Sequence, residues 1–108
     1  MKRGDLVTVA VSGDYGKPRP AVVIQSDWLA ETDSVLVCLV TSTLRDASLH
    51  RLTLEPSTAN GLRARCQVMV DKIMAVRREK CGTIFGHLDK AEIIALNRLL
   101  ALAIGIAD

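Results

Sequence analysis

The sequence predicts a mainly β domain with one C-terminal α-helix, built as a small, strongly bent antiparallel sheet or partly open barrel. Three observations lead there. Short runs rich in β-branched residues follow one another closely from Leu6 to Phe85. Gly, Pro and polar clusters separate them. The apolar spacing then becomes helical after Asp89. With 108 residues, the chain is expected to form one domain, 1–108. A chain of this size buries roughly 65% of its unfolded surface, enough for a core without staples.

The first strand is expected at Leu6–Val11, where Thr8 sits among valines. Two glycines and a proline make residues 12–18 a loop. Pro20 precedes a second strand, Ala21–Gln25, apolar enough to be buried on both faces. A polar connection, Ser26–Ser34, holds Trp28, Asp27, Glu31 and Asp33. Val35–Val40 is the most apolar run and is expected to be central. Arg51–Glu55 alternates strictly, as a half-solvated strand does. Gln67–Val76 is β-capable but changes phase, which predicts a bulge near Asp71-Lys72. Cys81–Phe85 closes the strand set.

The helix starts with a capping box, Asp89 with Glu92, and Leu88 with Ile93 as a hydrophobic staple. Gly105 is the expected stop. Between them the helix is apolar almost all round, so either the sheet wraps it or its outer face meets a partner.

Composition narrows the function classes. The net charge of +2 is too small for nonspecific coating of DNA, so any nucleic-acid role must come from local clustering. With three aromatics, Tyr15, Trp28 and Phe85, a base-stacking sheet is excluded. Cys38, Cys66 and Cys81 form no CxxC pair, and His50 and His87 make no ligand pattern with them. They read as buried or semi-buried thiols in a reducing cytosol, with no metal site and no cofactor. The N-terminus lacks the apolar core of a signal peptide, and no run is long enough to span a bilayer. A cytoplasmic protein without membrane contact is expected.

Three features could carry chemistry. In Lys17-Pro18-Arg19-Pro20, prolines on both sides restrict the backbone around Arg19 at a strand mouth. Such an arginine is either simply solvated or a phosphate clamp. Thr41-Ser42-Thr43 ends the apolar strand in hydroxyls, which cap and turn backbone or donate to a phosphate oxygen. The segment Arg63–Lys80 holds six basic residues, Arg65 and Lys72 among them, against two acids. That local excess suits either a solvated face or a grip on a polyanion. Asp71 lies within it, in an apolar strand where a buried carboxylate would need a partner such as Arg19. His50 suits a general base near neutral pH or a plain surface position. Trp28 reads equally as an interface anchor or as local loop packing.

Taken in order, these segments resemble the MazF/PemK (Kid) family of toxins from bacterial type II toxin–antitoxin pairs. The similarity runs through Arg3-Gly4-Asp5-Leu6-Val7, Arg19-Pro20-Ala21-Val22-Val23-Ile24, Val40-Thr41-Ser42 and Gln67-Val68-Met69-Val70-Asp71-Lys72-Ile73, and then the helix from Leu88-Asp89. It implies an SH3-like (CcdB/PemK-type) bent sheet, a homodimer, and metal-independent, sequence-specific cleavage of single-stranded RNA. The implied products are a 2′,3′-cyclic phosphate and a 5′-hydroxyl. By position, Arg19 and Thr41 match the family's catalytic pair, and Asp71 falls where relatives keep an acid. The implied RNA contacts are Lys17, Ser42, Thr43, His50, Arg65 and Lys72. The implied partner is an antitoxin with an acidic C-terminal tail.

Met69 replaces an arginine of some relatives, and Met74-Ala75 replaces a common Arg-Thr. Two other readings stand beside the ribonuclease: a degenerate barrel that binds RNA or protein without cutting, and a gyrase poison of the same fold. Gyrase-poisoning relatives end in Trp-Gly-Ile, whereas this chain ends Ile104-Gly105-Ile106-Ala107-Asp108.

Overall fold

The structure is a computed structural model, and it describes residues 1–11 and 17–107. The loop expected at 12–18 falls largely outside the described residues. Six strands form one antiparallel sheet: β1 (Asp5–Ala10), β2 (Pro18–Val23), β3 (Ser34–Thr41), β4 (Arg51–Leu54), β5 (Cys66–Arg77) and β6 (Cys81–His87). Their order is β4-β5-β3-β2-β1-β6, which puts β3 in the interior as its composition required. One helix, α1 (Lys90–Ala103), follows.

Each face of the bent sheet carries its own apolar cluster, because alternate residues of one strand point to opposite sides. Leu6, Val22, Cys38, Val40 and Val68 pack with Leu96 and Leu100 of α1. Val7, Val9, Ala21, Val23, Val37 and Val76 form the second cluster. β2 is therefore buried on both faces from Ala21 to Val23, as expected.

Among the described residues, the sheet does not close by strand pairing. Instead, the segment after β4 crosses to β6: the Ala59 carbonyl accepts from His87 N–H at 2.9 Å. Asn60, fully buried, organises that segment. Its Oδ1 accepts from the N–H groups of Ser57 and Leu62, and its Nδ2 donates to the Glu55 carbonyl. Gly86 makes the crossing possible, since a Cβ there would lie 2.2 Å from the Asn60 carbonyl oxygen.

β2 begins at Pro18 rather than at Ala21. Pro18 and Pro20 pair with Ala10 and Thr8 of β1, while the β2–β3 ladder starts only at Ala21. A proline fits a strand where its missing N–H faces no partner, so pairing on the β3 side ends where the prolines begin. The predicted bulge is present: β3 advances from Cys38 to Val40 while β5 runs from Ile73 to Val68. The surplus residues, Asp71 and Lys72 among them, bow out of the ladder.

The helix has the predicted ends. Asp89 accepts from Glu92 N–H at 2.7 Å, and Glu92 accepts from Asp89 N–H at 2.9 Å. Leu88 and Ile93 join the same apolar cluster. At the other end, Gly105 N–H bonds to Leu102 and Ile106 N–H to Ala101, with Gly105 at φ 79°. This is a Schellman stop, which glycine permits because it has no Cβ to clash. The sheet does not wrap the helix: Leu96 and Leu100 are buried, whereas Ile94 and Ile104 face outward. Trp28 is 96% exposed, which overturns the loop-packing reading. It sits in a short 3₁₀ turn, Asp27–Leu29. Among the described residues, no helix is long and apolar enough to cross a membrane.

Candidate active site

The predicted catalytic residues come from three neighbouring strands. β2 and β3 are in register through Ala21↔Leu39 and Val23↔Val37. Continued by two residues, that register sets Arg19 across from Thr41, just where the prolines end the ladder. Both residues are half-buried. On its other side Thr41 pairs with Gln67 of β5. Adjacent strands lie about 4.8 Å apart, so β2 and β5 flank this point with roughly 10 Å between them.

Thr41 Oγ1 accepts from Thr43 N–H at 3.1 Å. The bond forms the local turn expected of a hydroxyl at a strand end. It uses an acceptor lone pair and leaves the hydroxyl proton free to be donated. One threonine can thus shape the turn and supply a donor to an anion. Ser42 and Thr43 follow it and are exposed.

Asp71 lies in the bulge and is exposed, which overturns the expectation that its carboxylate is buried. The bulge explains the difference: extra residues leave the ladder and carry the side chain into solvent. The carboxylate still acts on the Cys38 thiol, which burial first and Asp71 second push up to about 12. Burial likewise raises Cys66. Cys81 is raised by burial and pulled back partly by Arg78. All three cysteines are free, with Cys38 and Cys66 buried and Cys81 half-buried. A thiol held protonated in this way is a poor nucleophile.

His50, exposed, precedes β4, and its carbonyl accepts from Val70 N–H at 3.0 Å. Its backbone therefore lies beside the residue preceding Asp71. Lys72 is exposed in the bulge, and Lys17 is exposed one residue before β2. Arg19, Thr41, Asp71, Lys17, Ser42, Thr43, His50 and Lys72 thus fall along one stretch of β2-β3-β5-β4.

The basic segment 63–80 is not one patch. Arg65 and Arg77 stand at opposite ends of β5, a strand of 12 residues. Arg65 is paired with Glu55, Nε to Oε2 at 2.8 Å, and Arg77 with Glu79 at 3.2 Å. Arg78 is turned to structural use, donating from Nη2 to the Leu29 carbonyl at 3.2 Å and from Nε to that of Thr32. A count of charges along the sequence misses this, because a long strand separates its two ends in space.

Two residues near Thr41 were not singled out from the sequence. Gln67 is buried opposite Thr41, and Arg51 donates from Nη1 to the Thr43 carbonyl at 3.1 Å. The available signal was a glutamine inside an apolar strand run, which must find partners when buried.

The site is an arginine and a hydroxyl on facing strand ends of a bent sheet, with a carboxylate in a neighbouring bulge, carried by a small, mainly β domain. Residues 2–104 match the family model described as PemK-like, MazF-like toxin of type II toxin–antitoxin system. The chain belongs to that family. It is 39% identical over 108 residues, 99% of both chains, to a protein of Mycolicibacterium smegmatis named probable endoribonuclease MazF. Its fold is similar to that of a mycobacterial endoribonuclease solved in complex with its cognate antitoxin (TM-score 0.84, 20% identity, covering 100% of this chain and 98% of that one). It is also similar to a MazE–MazF crystal structure from Deinococcus radiodurans (TM-score 0.79, 19% identity, covering 99% and 97%).

Proposed function

We propose that this toxin is a sequence-specific endoribonuclease that cleaves single-stranded RNA without a metal ion. The observation that carries the reading is the placement of Arg19 and Thr41 on facing ends of β2 and β3, with Asp71 in the adjoining bulge. A base takes the 2′-hydroxyl proton as its oxygen attacks the phosphorus, the bond to the 5′-oxygen breaks, and that oxygen takes up a proton from an acid or water, leaving a 2′,3′-cyclic phosphate and a 5′-hydroxyl. Arg19 stabilises the charge that develops on the pentavalent phosphate, and Thr41 donates its hydroxyl proton to a phosphate oxygen. Asp71 acts as base or orients Arg19. Lys17, Ser42, Thr43, His50 and Lys72 hold the strand on either side, and Arg65 joins them by exchanging its Glu55 partner.

Ile94 on the outer side of α1 and Ile104 just past its end, both exposed, support pairing of two copies as a homodimer. An antitoxin with an acidic tail would lie across the same basic site and exclude RNA. A cytoplasmic location fits both substrate and partner. The test is incubation of the purified protein with long RNA in EDTA. Discrete fragments ending in cyclic phosphate are expected, and their loss in Arg19→Ala. RNA left intact across varied sequences would favour a non-cleaving binder, and trapped DNA breaks without RNA breaks a gyrase poison.

A further inference from the structure

Gln67 is 6% exposed and pairs directly with Thr41 in the β3–β5 ladder. Directly opposed residues of an antiparallel pair project to the same face. Its amide therefore lies on Thr41's side of the sheet. Oε1 accepts from Arg45 N–H at 3.0 Å and from Arg51 Nη1 at 3.1 Å. Nε2 donates to the Arg45 carbonyl at 3.0 Å and to Thr53 Oγ1 at 3.2 Å. These four bonds exhaust what a side-chain amide can make.

Their targets are informative. By binding both N–H and carbonyl of Arg45, Gln67 holds the loop between β3 and β4 much as a strand partner would. Arg51, held by Gln67, bonds in turn to the Thr43 carbonyl at 3.1 Å. Thr43 is the residue whose N–H binds Thr41 Oγ1. A continuous chain therefore runs from Gln67 through Arg51 and Thr43 to the Thr41 hydroxyl. It is kept although Arg51 Nε is buried with no partner among the described residues.

We propose that Gln67 is a positioning residue for RNA cleavage: acting through Arg45 and Arg51, it fixes the Thr41–Thr43 turn that presents the hydroxyls to the phosphate. The proposal rests on the endoribonuclease reading above. A brace needed only for stability would lower the melting temperature and leave turnover per folded molecule unchanged. A positioning brace lowers kcat, since small displacements of an aligned donor are expensive in rate.

The experiment compares the unaltered full chain, Gln67→Leu and Gln67→Glu for kcat and KM on a cleavable RNA oligonucleotide, with amide hydrogen exchange read at Thr43 and Arg45. Gln67→Leu removes all four bonds. It should lower kcat about tenfold or more with a smaller change in KM, and exchange at both amides should rise about tenfold or more. Gln67→Glu keeps both acceptor bonds but sets a carboxylate oxygen against the Arg45 carbonyl, so it should restore part of kcat and of the Arg45 protection relative to Gln67→Leu. If Gln67→Leu does not fold, Arg51→Met, which removes the bridge from Gln67 to Thr43 and leaves the bonds of Gln67 to Arg45 and Thr53, takes its place with the same expected fall in kcat. Unchanged kcat in the folded variant, whatever its exchange, overturns the proposal while leaving the endoribonuclease reading intact. Failure of the unaltered protein to cut RNA defeats that reading, and the proposal with it.

Discussion

Cys38 and Asp71 are electrostatic neighbours: burial, and after it the Asp71 carboxylate, push the Cys38 thiol up to about 12 from an ordinary 9.0. The neutral thiol is thereby favoured in the folded state. Its contribution to stability is fully present below pH 9 and is lost as pH rises through about 12, because above 9 the unfolded chain releases the proton first. A shift of this size corresponds to about 4 kcal/mol at its limit. Cys38→Ala loses packing at every pH but has no thiol to ionise. The gap in urea-unfolding stability between the unaltered chain and Cys38→Ala should therefore be constant below pH 9 and narrow above it. A gap that stays constant up to pH 11 would contradict the burial of this thiol.

The facing positions of Arg19 and Thr41 give a second expectation. Arg19→Ala should lower kcat about 100-fold or more, since it removes the charge that stabilises the pentavalent phosphate. Thr41→Val, isosteric but without a proton to donate, should lower kcat by about the same order. Thr41→Ser keeps both the turn bond and the donor and should retain most activity. Initial rates on one RNA oligonucleotide, with circular dichroism to verify folding, decide this. Full activity in Thr41→Val would show that the hydroxyl takes no part in cleavage.

Most of the fold was legible because its signals are local. The valine-rich alternation of β1 and β3, the Asp89–Glu92 capping box and the Gly105 stop each depend on residues close in sequence. The bulge at Asp71-Lys72 was legible as a change of phase in a single strand. What was not legible depends on partners distant in the chain. Gln67 is satisfied by Arg45, Arg51 and Thr53, and Asn60 by its approach to β6. Pro18 and Pro20 delayed the expected start of β2, because only the observed ladder reveals that β3 does not reach them. The basic run 63–80 misled for the same reason: neighbours in sequence along a long strand are not neighbours in space. Arg19 and Thr41 carry weak signals singly, and it is the β2–β3 register that sets them on facing strand ends.

Closure of the bent sheet through Asn60 makes Gly86 a sensitive position. A Cβ there would meet backbone atoms of Asn60 at 2.2 and 2.4 Å, and backbone cannot yield as a flexible side chain does. Gly86→Ala should destabilise the protein by about 3 kcal/mol or more, at the upper end of overpacking effects. Gly105 serves as a comparison, since nothing lies within 4 Å of a Cβ placed there. Gly105→Ala should cost only the left-handed backbone strain, about 1–2 kcal/mol. Urea denaturation of the two variants ranks them. Equal destabilisation would mean that the segment carrying Asn60 is not packed against β6.

The connection between β2 and β3 is held by side chains from outside it, and this bears on Trp28. Gln25 Nε2 donates to the Leu29 carbonyl at 2.8 Å and to Thr32 Oγ1 at 2.9 Å. Arg78 reaches the Leu29 carbonyl from β5's far end, and its own N–H bonds to the Asp33 carbonyl at 3.0 Å. The single tryptophan is thus exposed on a segment that is braced from both sides. Acrylamide should quench Trp28 in the native state nearly as well as after unfolding, and its emission should shift little on denaturation. Arg78→Ala removes one brace, at about 1 kcal/mol of stability. It should leave quenching unchanged while adding a fast component to the fluorescence anisotropy decay, because the segment gains freedom without changing its exposure. Strong protection from quenching that disappears on dilution would instead place Trp28 in a contact between copies of the chain.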